Sequence, residues 1–73
     1  MTSNTLNTSV AAQIRAELGR QQLSQAALAR RIGWTTATVS RRLRGVQQLS
    51  VQDVEDIARA LGTTAADLIG AAA

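Results

Sequence analysis

The stretch LSQAALARRIGWTTATVSRRLRG, residues 23–45, carries two apolar patterns at helical spacing, separated by Gly33 and Trp34. Leu28, Ala29 and Ile32 share one helical face, and Val39 and Leu43 stand four apart on the next. Ser24 and Thr35 occupy the positions where an N-cap belongs. Gly33 and Gly45 follow the two patterns, where a chain leaving a helix turns left-handed and only glycine does so cheaply. The spacing predicts two short helices joined by about three residues. Ala29 is small where the second of these helices would cross the first. Five arginines, at 30, 31, 41, 42 and 44, lie within the same stretch, which holds no acid.

Outward from that stretch the helical pattern continues. Val10, Ile14 and Leu18 predict a first helix, capped at Thr8 or Ser9 and ended before Gly19. After VQQL, Ser50 and Asp53 form a capping box ahead of Val54, Ile57, Ala58 and Leu61, with acids early and Arg59 late, as the helix dipole favours. Gly62 ends that helix. Thr64 and Asp67 form a second box before Leu68 and Ile69. Strand signals are weak and no repeat is present. The expectation is an all-α, five-helix domain over residues 8–70. Residues 1–7 are expected to be a flexible N-terminal arm and 71–73 a short tail.

At 73 residues a single domain is expected, near the size where one core is only marginally stabilising. Cysteine, histidine and proline are absent. The commonest nucleophiles, general bases and transition-metal ligands are therefore missing, and we expect no enzyme, cofactor, metal or small-molecule substrate. No apolar run approaches the ~18 residues of a membrane span, and the start, MTSNTLNTS, is polar and uncharged. A cytoplasmic protein is expected. Charge is unevenly placed. Residues 15–44 hold seven arginines and one acid, a net of +6, whereas residues 45–73 hold one arginine and four acids, a net of −3. All eight basic residues are arginine, suited to bidentate contact with phosphates and guanine edges. An anionic partner follows, nucleic acid ahead of an anionic membrane surface.

Geometry says which side would meet it. With Val39 and Leu43 inward and ~100° per residue, Ala37, Ser40, Arg41 and Arg44 fall on the far side, and Thr36 projects from the N-terminal end. The apolar residues hold the helix, leaving its other side for an anion.

The stretches LSQAALARRIGW, TVSRRLRG and LSVQDVEDIARALGTTAADLI resemble the phage lambda repressor and Cro class of helix-turn-helix proteins, the XRE type. The match covers residues 23–69, and the first helix extends it to about residue 10. The resemblance implies sequence-specific binding of double-stranded DNA, with residues 36–44 as a recognition helix in the major groove. It points to a transcriptional regulator, a phage Cro-like protein or compact immunity repressor. The expected DNA contacts are Gln25, Thr35, Thr36, Ala37, Thr38, Ser40, Arg41, Arg42, Arg44, Gln47 and Gln48. Arg41 is the expected base reader, and Arg42 and Arg44 are expected on phosphates. The family's glutamine at Gln25 supports a phosphate contact, and its members use the segment at Gln47 and Gln48 against backbone or base. Two copies are expected on DNA, as a homodimer. One departure stands out: the family often has an apolar residue three after the helix-three valine, where this chain has Arg42. Trp34 is expected to pack, Arg30 and Arg31 to form a solvated basic face, and Leu68 and Ile69 to lie in the core, with a dimer surface as the alternative. An antitoxin-like protein-interaction module with secondary DNA binding is the other functional class.

Overall fold

The computed structural model describes residues 5–72. Five helices follow in order: α1 Thr5–Gln21, α2 Gln25–Ile32, α3 Thr36–Leu43, α4 Val51–Leu61 and α5 Ala65–Ala72. No strand occurs among the described residues. Local chemistry starts most of these helices. The Ser24 hydroxyl accepts from the Ala27 amide at 3.0 Å, and Thr35 accepts from the Thr38 amide at 3.1 Å. Ser50 and Asp53 exchange both capping bonds at 3.0 Å. At α5 the Thr64 hydroxyl accepts from the Asp67 amide, while the Asp67 carboxylate receives the Thr63 hydroxyl instead of closing a box.

Four helices end in the same manner: an amide reaches five residues back across a residue of positive φ. Gly33 (φ 88°), Gly45 (φ 82°) and Gly62 (φ 75°) serve α2, α3 and α4. For α1 the residue is Gln22, at φ 55°, with the Leu23 amide on the Leu18 carbonyl at 2.9 Å. The expected ends of α1 are thus corrected. Thr8 and Ser9 lie inside the helix, Gly19 is passed, and residues 5–7 are helical where an arm was expected. Two long-range bonds hold these extensions. The Asn7 amide donates to the Leu49 carbonyl at 3.1 Å, and the Gln21 amide donates to the Leu61 carbonyl at 2.8 Å. Gln21 also donates to Glu17, and with Arg20 it holds that carboxyl below its usual range. Residues 71 and 72, expected as tail, complete α5. Residues 1–4 and 73 lie outside the described residues.

One core joins the helices. Ile14, Leu28, Val39, Leu43 and Ile57 are fully enclosed, one or two from each of α1 to α4, and Leu68 brings in α5. α1 packs along α5 and against α3, while α2 lies between α3 and α4. No polar side chain is buried among the described residues. Val39 and Leu43 are the α3 residues that enter the core, which leaves the other face of the helix outside it.

Candidate nucleic-acid interface

α2, the turn at Gly33–Thr35, and α3 form two helices in close contact across a tight corner. The rotation of α3 follows the sequence expectation except at Ser40, which was expected on the far side. Val39 and Leu43 point inward, Ala37, Arg41 and Arg44 are exposed, Thr36 is exposed at the N-terminal end, and Ser40 is half-buried at the flank. Thr35 is occupied by capping, and its hydroxyl also donates to Thr38 at 2.9 Å. These two hydroxyls are thereby oriented by each other. Gln25, the first residue of α2, is half-buried. Gln47 and Gln48 are exposed on the segment after α3.

The arginines divide by partner. Arg20 and Arg59 pair with Glu17 and Asp56 one helical turn earlier. Arg15 donates to the Leu43 carbonyl at the end of α3, and Arg31 donates to the Ala60 carbonyl at 3.0 Å. Those two bonds are to neutral groups, so both charges persist. The guanidinium groups of Arg30, Arg41 and Arg44 have no hydrogen bond or ion pair among the described residues. Arg41 and Arg44 thus present unneutralised guanidinium groups from the outward face of α3. Arg15 and Arg44 also line an open hollow of about 470 Å³ beside the end of that helix.

Arg42 is placed differently from its neighbours. Its guanidinium lies 2.9 Å from an Asp53 carboxylate oxygen and 4.8 Å from the centre of the Trp34 ring. Arg42, expected on a phosphate, has two partners inside the protein. Trp34 packs against the core, as expected. Sequence reading assigned Asp53 only to a cap. The available signal was the missing apolar residue in α3, which leaves room for an arginine, with an acid opening the next helix.

Leu68 is in the core and offers no surface, whereas Ile69 is half-buried. Among the described residues the exposed large apolar ones are Leu6, Val46 and Val51, and Leu6 and Val51 share a shallow groove with Ile69. Among the described residues, no helix is long and apolar enough to cross a membrane, and no cluster of acids could hold a metal.

A family model described as helix-turn-helix matches residues 13–68, more than half of the chain. No curated protein and no solved structure matches it.

Proposed function

The chain belongs to the lambda repressor and Cro-like (XRE-type) helix-turn-helix family of DNA-binding transcription regulators, and on that premise we propose that it reads a specific duplex sequence with α3 in the major groove, as a Cro-like or immunity repressor of a phage. The observation that carries this reading is the exposed face of α3. Ala37, Arg41 and Arg44 stand opposite the two core residues, and both arginines lack an acidic partner among the described residues. A groove-bound helix needs that division: one side anchored, the other able to give up water to base edges and phosphates.

Roles follow from position. Thr36 and Ala37, near the start of the helix, offer a methyl to thymine and a hydroxyl to a base edge. Arg41, farthest from the core line, offers its two-pronged donor to guanine O6 and N7. Ser40 flanks it. Arg44 leaves the groove toward a backbone phosphate, and Gln25, Gln47 and Gln48 approach the backbone from the ends of the neighbouring elements. Thr35 and Thr38 hold the start of α3 in shape, so that their contribution to DNA is orientation. Occupancy of a promoter is enough to repress it, which favours repression over activation. One α3 reads only a few base pairs, so two copies on a two-fold symmetric site give the needed discrimination. The groove at Leu6, Val51 and Ile69 is lined by no charged residue, so two chains meeting there would bring no like charges into contact.

A salt titration of duplex binding tests the electrostatic part. With ~4–6 phosphates neutralised per bound chain, log affinity should fall against log salt with a slope of about −4 to −5. A slope near zero contradicts DNA binding through this face.

A further inference from the structure

We propose that Arg42 is a positioning residue: clamped between Asp53 and Trp34, it sets the rotation of α3 and makes no phosphate contact. The inference rests on the DNA-binding reading above for its affinity readout. Its spectroscopic readout stands without that reading.

Val39 and Leu43 anchor α3 along one line, because residues four apart lie nearly above one another. Two knobs on one line resist sliding better than they resist rolling. A roll of α3 would swing Arg41 off the groove floor while leaving the core nearly intact. Arg42 projects ~80° to the side of that line, where a third contact opposes rolling. It has that contact twice over. One guanidinium nitrogen is 2.9 Å from Asp53 Oδ1, on α4. The guanidinium carbon is 4.8 Å from the Trp34 ring centre, in the turn before α3. The planar charge thus ties the end of the helix to its own entry turn and to the next helix.

Asp53 is itself immobilised. Its other oxygen accepts the Ser50 backbone amide at 3.0 Å, closing the cap of α4. One carboxylate therefore serves a helix start and a clamp. The Arg42 and Asp53 side chains are only 22% and 16% exposed, which separates this pair from the open Arg20–Glu17 and Arg59–Asp56 pairs, whose arginines are 68% and 71% exposed. A DNA phosphate would have to displace a carboxylate already at hydrogen-bond distance. The pair is also neutral, so it adds nothing to counterion release on DNA.

Three variants of the full chain distinguish a clamp from a phosphate contact: Arg42→Met, Arg42→Lys and Asp53→Asn. Each is measured on its preferred duplex, on unrelated duplex across a salt series, and by Trp34 emission in the free protein. Trp34 is the only aromatic residue, so its emission reports this site alone. The clamp predicts that all three lose roughly threefold to tenfold on the preferred site and less on unrelated DNA, and that the two Arg42 variants keep the salt slope. Lysine keeps the charge yet lacks the planar fork, so it should not rescue. Both Arg42 variants should shift Trp34 emission. Asp53→Asn is the sharpest arm, because it removes a negative charge near DNA and on electrostatics alone should tighten binding. The proposal is overturned if Arg42→Met weakens every duplex alike and flattens the salt slope by about one, while Arg42→Lys matches the parent and Asp53→Asn binds as tightly or tighter. An unchanged Trp34 emission in Arg42→Met also overturns it. If the parent chain binds no duplex, the functional reading falls, and Trp34 emission still decides the clamp.

Discussion

Arg41 and Arg44 are three residues apart on the exposed side of α3, both free of acidic partners among the described residues, yet their positions suit them to different work. Arg41 lies opposite the Val39–Leu43 line, so it faces a groove floor. Arg44 is the residue at the end of the helix, beside left-handed Gly45, where the chain turns away. Arg41→Ala should cost about 1–3 kcal/mol on the preferred site and relax the preference at one base position. Arg44→Ala should weaken all duplexes alike and reduce the salt slope by about one. Binding of both variants to the preferred site, to each of its single-base changes and to unrelated DNA checks this. The reverse pattern would mean that α3 is rotated differently on DNA. A second residue-scale expectation concerns Gln22, which holds a φ of 55° where the other three such helix ends use glycine. An L-residue there is strained, so Gln22→Gly should stabilise the fold by about 0.5–1 kcal/mol. A thermal melt should show a Tm higher by about 2–6 °C. A lower Tm would show that the glutamine side chain contributes more than its backbone strain costs.

Among the elements, α3 and the start of α4 are joined through a single carboxylate. Ser50→Ala removes the hydroxyl that accepts the Asp53 amide, at a cost of about 0.5–2 kcal/mol. Because Asp53 also holds Arg42, the same change should weaken preferred-site binding more than unrelated binding; denaturant melts and paired affinity measurements read the two effects separately. An equal loss on both duplexes would uncouple the cap from α3. This network also marks where the sequence was legible. The caps at Ser24, Thr35 and Ser50 could be read because each donor and acceptor lie three residues apart. The turns at Gly33, Gly45 and Gly62 could be read because a left-handed residue has so few alternatives. The outward set on α3 could be read because Val39 and Leu43 fix a helical wheel. The ends of α1 could not, since they depend on Leu49 and Leu61, which lie forty or more positions away from Asn7 and Gln21. Tail residues 71 and 72 extend α5, a helix that packs along α1, a contact no local pattern encodes. Arg42 looked like one more basic residue because charge counts along a sequence do not reveal which charges are already paired.

At the scale of the whole molecule, size and charge set what one chain can do. The described residues extend 32 × 22 × 20 Å, about one turn of duplex along the longest axis. On the proposed reading one chain would cover one half-site. Residues 15–44 carry a net charge of +6, and Arg41 and Arg44 present theirs from the outward face of α3, while in residues 45–73 Asp53 caps α4 and pairs with Arg42, and Asp56 pairs with Arg59. Two chains side by side would bring their α3 helices to successive major-groove faces about 34 Å apart. Selection of bound duplexes from a random pool tests this account most directly, with the parent and Arg41→Ala run in parallel. The parent should enrich a palindrome whose half-sites are centred about 10 base pairs apart, and Arg41→Ala should lose one guanine-containing position in each half-site. No enrichment over the starting pool, or a motif that Arg41→Ala leaves unchanged, would contradict it.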